Sequence, residues 1–80
     1  MKLSIHNPRK NLFKGEVTLV TVPGTEGLFT VLDNHAPIIS LLDSGKITIR
    51  VAQTGDEKSF DVPDSGYVKV LNNSVTICIN

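Results

Sequence analysis

Apolar and polar residues alternate with a period of two along most of the chain. Leu3 and Ile5, Val17 and Leu19, Ile47, Ile49 and Val51, Phe60 and Val62, Val68 and Val70, and Val75, Ile77 and Ile79 form sets with polar residues between them. Such spacing puts each set on one side of a pleated strand and the intervening residues on the other. Lys46, Thr48 and Arg50 then face water on one strand, and Thr76 and Cys78 on the last. Turn chemistry separates the sets: Asn7-Pro8, Pro23-Gly24, Asp43-Ser44-Gly45, Thr54-Gly55-Asp56, Pro63-Asp64-Ser65-Gly66 and Asn72-Asn73-Ser74. The clearest local element is a hairpin from Gly45 to Val62 turning at Thr54-Gly55-Asp56, followed by one around Asn72-Asn73.

No window long enough for a helix carries apolar residues at i, i+3, i+4 and i+7 without Gly or Pro intruding. The pattern predicts an all-β domain of short, mostly antiparallel strands with no substantial helix. A sheet with one apolar face needs a second face to cover it, so the choice lies between a two-sheet β-sandwich and a flattened barrel, and the sandwich is preferred.

Composition narrows this further. At 80 residues and 8.7 kDa the chain is a single domain with one thin core. Eight basic residues balance eight acidic ones, four against three in residues 1–40 and four against five in 41–80, so there is no electrostatic footprint for nucleic acid. One cysteine, Cys78, excludes an internal disulfide and leaves stability to packing. The alternating start from Met1 to His6 is unlike a signal peptide. The densest apolar run, Ile38 to Leu42, is far short of the roughly 20 residues a membrane helix needs. The expectation is a soluble or peripheral protein without direct membrane insertion.

The segment from Phe13 to Leu42, FKGEVTLVTVPGTEGLFTVLDNHAPIISLL, is less generic. Phe13-Lys14-Gly15-Glu16-Val17, then Pro23-Gly24-Thr25-Glu26-Gly27, then His35-Ala36-Pro37, in that order and spacing, closely resemble the N-terminal β-sandwich domain of the epsilon subunit of F-type ATP synthases, called delta in mitochondria. The tail from Gly66 to Ile77 resembles that family's final hairpin, so the likeness covers essentially the whole chain. It implies an epsilon-type domain over residues 1–80 that lacks the two C-terminal helices of typical relatives, credited with restraining ATP hydrolysis; either the natural subunit is short, in which case helix-based restraint cannot operate in it, or these residues are a fragment of it. It implies a non-catalytic central-stalk rotor subunit with no cofactor, binding the gamma subunit and the c-ring so that ion-driven rotation is coupled to ATP synthesis. Its place would be peripheral, on the cytoplasmic face of the bacterial inner membrane. One charge crossing 100 mV is worth about 2.3 kcal/mol, so this joint must be stiff and adhesive.

By the same resemblance Gly24, Thr25, Glu26, Gly27 and Leu28 form the tip facing the c-ring, with Leu28 where many relatives have an acidic residue. Asn7, His35, Ser40 and Leu42 would face gamma, with Ala36 and Pro37 fixing the turn that presents His35. Thr30 stands where many relatives have Gly. An apolar centre for the gamma contact is expected among Ile38, Leu41 and Leu42.

Other chemistries have weaker signals. Asp33, His35, Ser40 and Ser44 contain the residue types of a hydrolytic triad but no strained nucleophile turn. His6, His35 and Cys78 lack paired metal-ligand spacing, so no metal site is expected. The Pro-Gly-Thr-Glu-Gly loop lacks the Gly-Lys-Ser/Thr ending and following helix of a phosphate loop and reads as a hairpin turn. Phe13, Phe29, Phe60 and Tyr67 are dispersed and read mostly as core, although either Leu28 or Phe29 must point outward. Arg9, Lys10 and Lys14 read as a solvated cluster. The alternative to a rotor subunit is a free-standing small β-sandwich that binds a ligand such as a peptide or a sugar.

Overall fold

The computed structural model describes residues 1–80 as six strands with no helix. They are β1 (Lys2–His6), β2 (Asn11–Gly24), β3 (Gly27–Leu32), β4 (Ile38–Val51), β5 (Glu57–Leu71) and β6 (Ser74–Ile79). The all-β expectation therefore holds. Hydrogen bonds join the strands in the order β1-β6-β5-β4-β2-β3, and β1 also pairs with β2. The pairing closes a ring of five strands with β3 attached outside it, rather than leaving two separate sheets. Every pairing is antiparallel except β1 with β6.

Three strands have 14 or 15 residues: β4 and β5 pair with each other almost from end to end, and β2 changes partners along its length. Residues 11–16 of β2 pair with β1, whereas 17–24 pair with β3 and β4. Register irregularities mark the bends. One lies between Val17 and Leu19 in β2, another between Asp43 and Gly45 in β4, opposite Pro63-Asp64 of β5. An extra residue in one strand sharpens local twist and turns the strand. At the β4 bend Gly45 has φ +154°, and a Cβ there would lie 2.9 Å from the Cβ of Pro23, so the corner needs glycine.

Inward residues supply one core of sixteen buried apolar side chains. Leu3, Ile5, Ile47, Ile49, Val62, Val68, Val70, Val75, Ile77 and Ile79 are all in it, as their alternation predicts. Val17 and Leu19 do not share a face, because the bulge between them leaves Leu19 half-buried and gives the interior to Val20 and Val22. Phe13, Phe29 and Phe60 pack on the core rim, with the rings of Phe13 and Phe60 at 6.0 Å and 60°.

The turns follow their chemistry. Leu71 pairs with Ser74 across Asn72-Asn73, whose φ values of 51° and 59° are those of a type I′ turn. Gly24 pairs with Gly27 across Thr25-Glu26, making the Pro-Gly-Thr-Glu-Gly segment a hairpin tip. The 45–62 hairpin pairs as far as Arg50 with Glu57.

Candidate docking surface

The outward residues of β4 and β5 differ between the two halves of these strands. In the half after the bend, Lys46 pairs with Asp61 at 3.3 Å and Arg50 with Glu57 at 3.0 Å, both exposed. Such pairs add little stability but keep a sheet face in water. In the other half Leu41 stands opposite Tyr67 and Ile39 opposite Lys69, with Leu71 beyond them. Ile39 is 74 % exposed, Leu41 66 %, and Tyr67 and Leu71 each 44 %. Apart from Lys69 this face is apolar, and clustered exposure of this kind marks an interaction surface.

Across β6 and β1 the Leu41–Tyr67 row continues through Cys78 and His6, which face each other on the parallel pair. The Cys78 Sγ lies 3.2 Å from His6 Nε2. Hydrogen bonding to Cys78 raises the Tyr67 phenol above its ordinary value, reinforced by repulsion from the thiolate and then by desolvation.

The loop after β3 carries His35. Its ring Nδ1 donates to the Ala36 carbonyl oxygen at 2.8 Å, and its backbone N–H donates to the Leu32 carbonyl at 3.2 Å. The triad residue types are engaged elsewhere: the Asp33 carboxylate accepts from the Met1 ammonium group at 2.7 Å, and the Ser40 hydroxyl donates to the Leu41 carbonyl at 3.2 Å. No group of three or more His, Cys, Asp or Glu side chains is placed to hold a metal ion.

The expected contact residues are brought together only in part. Gly24 to Leu28 form the β2–β3 tip, which reaches β4 through the Thr25 N–H and the Leu41 carbonyl at 3.1 Å. Leu28 is the outward member of its pair, 74 % exposed, while Phe29 packs on the core. Gly24 is buried, and a Cβ there would meet the Phe29 ring at 2.8 Å. Asn7 folds the β1–β2 turn, its Oδ1 accepting from the backbone N–H groups of Arg9 and Lys10 at 2.8 and 2.9 Å. Asp33, two residues before His35, is held to Met1 at the start of β1, whereas Asn7 follows the last residue of that strand. Ser40 is half-buried on the inner side of β4.

Leu42 corrects the expected gamma-facing set. It is 1 % exposed, inside the core, because it follows Ile38 and Ser40 on the inward side and pairs with Gly24 and Gly66. A side chain with no surface cannot meet a partner. The apolar residues of this stretch that reach solvent are Ile39 and Leu41, and Ile38 packs on the core rim. Sequence reasoning missed Ile39, Tyr67 and Leu71. The signal was present in the alternation itself, since Ile39 and Leu41 share one side of β4 and Tyr67 and Leu71 one side of β5.

Comparison with known proteins follows the same lines. The family described as ATP synthase, Delta/Epsilon chain, beta-sandwich domain matches residues 1–80. The chain is 39 % identical over 77 residues to the ATP synthase epsilon chain of Leptospira interrogans, covering 96 % of this chain and 58 % of that protein. It is 47 % identical over 79 residues to that of Sulfurovum sp., covering 99 % and 59 %. With that of Caulobacter vibrioides the figures are 40 % over 77 residues, 96 % and 86 %. It thus spans less than two thirds of the first two relatives. Among solved structures, a chain of the Euglena gracilis mitochondrial ATP synthase superposes with a TM-score of 0.85 at 22 % identity, covering 96 % of this chain and 48 % of that one. A chain of the Tetrahymena thermophila central stalk and c-ring gives 0.80 at 19 %, covering 99 % and 63 %. At those identities the likeness is one of fold. The match along the full 80 residues, with a relative at 40 % identity of which the chain covers most, shows that this chain belongs to the ATP synthase delta/epsilon chain family, through its β-sandwich domain.

Proposed function

We propose that the chain is a non-catalytic central-stalk domain of an F-type ATP synthase, which binds the gamma subunit and the c-ring and turns with them to couple ion flow to ATP synthesis. The observation that carries this reading is the family match along all 80 residues. The face formed by Ile39, Leu41, Tyr67 and Leu71 supports it, because adhesion needs an apolar centre and the salt-paired half of β4 and β5 offers none. In this reading gamma covers that face together with His35, Ser40 and Asn7, and the Gly24 to Leu28 tip meets the c-ring, with Leu28 making an apolar contact. The domain sits peripherally at the cytoplasmic membrane surface as part of the complex. None of its helices could cross a membrane, since it has none.

The closed ring serves the mechanical role as a flattened sandwich. One layer consists of β1, β6, the first halves of β2 and β4 and the second half of β5, and the other of β3 with the remaining halves of β2, β4 and β5. Because these three long strands run through both layers, force applied at the docking face passes along covalent backbone to the tip. The alternative of a ligand-binding module would need an enclosed pocket, and the two largest concavities, each about 390 Å³, are open grooves, one bordered by Lys2, Ser4, Lys14, Glu16, Ser74 and Thr76 and the other, at the apolar face, by Ile38, Ile39, Lys69, Val70 and Leu71.

Gel filtration of the domain with its cognate gamma subunit at micromolar concentration tests the reading. Co-elution is expected. Separate elution of two folded proteins would overturn the gamma-binding half of the proposal, and the buried area should exceed roughly 1,000 Å² in total.

A further inference from the structure

Two free edges of the sheet contrast. One is residues 57–62 of β5, since β6 pairs only with Gly66 to Leu71. It carries Glu57, Lys58 and Asp61 and is followed by Pro63, and charges and proline keep a free edge from recruiting another strand. The other is β3, bonded only to β2, whose six residues contain no charge, no proline and no bulge. Which of its backbone groups face outward follows from the ladder. The Thr25 N–H points across to β4, so Gly24, Val22 and Val20 turn theirs to β3 and bond Gly27, Phe29 and Val31. Pro23, which has no N–H to give, falls in the other phase, opposite Leu28. The N–H and C=O groups of Leu28, Thr30 and Leu32 therefore point away from the sheet, and of these the Leu32 carbonyl accepts from the His35 N–H. Beside them the Leu28 and Leu32 side chains are 74 % and 54 % exposed.

We propose that β3 is a self-pairing edge, to which a second copy of this chain adds its own β3, antiparallel, about a two-fold axis at Thr30. Leu28-Phe29-Thr30-Val31-Leu32 has leucine at each end, an aromatic or β-branched residue next and threonine at the centre, so a reversed copy meets its own pattern. In that register Thr30 bonds Thr30 of the second copy through both backbone groups, and on each side a Leu32 N–H donates to the Leu28 carbonyl of the other copy. Leu28 lies beside Leu32 of the other copy on the outer face, covering side chains that are otherwise in water. Charges fit as well: continuing the register sets Gly27 opposite Asp33 and Glu26 opposite Asn34, so no carboxylate faces another. Any extended segment would satisfy the backbone, but the match of leucine to leucine at both ends and threonine at the centre selects a second copy. The inference stands on β3 and its neighbours and not on the rotor reading.

A six-residue edge makes a small contact, at the weak end of specific interfaces, so the test is sedimentation equilibrium of the chain up to about 1 mM. The weight-average mass should rise from 8.7 kDa toward twice that value. Thr30→Lys and Thr30→Glu each set like charges against each other on the axis, and each alone should dimerise about fivefold more weakly. An equimolar mixture of the two should regain the association of the parent. Thr30 is exposed, and circular dichroism checks that both variants keep the fold. Should either lose it, amide hydrogen exchange in the parent decides: the Leu28, Thr30 and Leu32 amides should slow with rising concentration, relative to those of Ile47 and Ile77. A parent that stays at 8.7 kDa throughout, a mixture no more associated than either variant alone, or exchange at the three amides that ignores concentration would overturn the proposal.

Discussion

Leu41 and Leu42 are neighbours with opposite fates, and truncating each to alanine separates docking from folding. Leu42 is 1 % exposed, between Gly24 and Gly66, neither of which has a side chain to close the gap. Leu42→Ala should cost about 3 kcal/mol, within the 2–5 kcal/mol range for buried leucines. A domain of this size holds roughly 4–12 kcal/mol in all. At about 4–8 °C per kcal/mol, the melting temperature should fall by about 12–24 °C. Leu41 keeps 66 % of its surface in water, so Leu41→Ala should change stability by about 0.5 kcal/mol or less. Thermal unfolding followed by circular dichroism measures both. A Leu42→Ala melting temperature within about 2 °C of the parent, or a Leu41→Ala loss as large as that of Leu42→Ala, would refute the assignment of the two faces.

Gly66→Ala should destabilise the β5–β6 pairing by about 2 kcal/mol or more in urea unfolding, because the new Cβ runs into the Cys78 carbonyl oxygen. Asn72→Ala should cost about 1–2 kcal/mol by the same assay, since alanine at φ 51° strains a turn that asparagine tolerates. The Met1 amine titrates above 8.0, held up first by its hydrogen bond to Asp33 and opposed by burial. A raised amine contributes its full stability below the unfolded value near 8.0 and loses it as pH rises through the folded value. Urea midpoints should therefore fall above pH 8, and Asp33→Asn should flatten that decline. Tyr67 is the only tyrosine, so its phenolate absorbance should titrate above 10.0, and Cys78→Ala should bring the midpoint down.

Strands such as Ile47–Ile49 and Val75–Ile79 were legible because one face is apolar and the other polar, and burial follows the alternation directly. Leu19 was misplaced because a bulge inverts the alternation, and no local composition marks an inserted residue. The ring was illegible for a different reason. Its closure depends on β1 pairing in parallel with β6, a contact between the two ends of the chain that leaves no periodic trace in either strand. In Ile38 to Leu42 both faces are apolar, so period two defines two sets without saying which is inside. Tertiary pairing against Gly24 and Gly66 decides, and it selects Leu42. The hairpin tip was readable from Pro23-Gly24 and Gly27, whereas the tie of Asp33 to the chain's first nitrogen had no sequence signal at all.

Calorimetric titration of the cognate gamma subunit with the domain and with a folded Leu41→Asp variant tests the docking claim most directly. A saturable heat for the parent, with a negative heat-capacity change from apolar burial, and at least about tenfold weaker binding by the variant, is the predicted outcome. No binding by the parent, or equal binding by both, contradicts it.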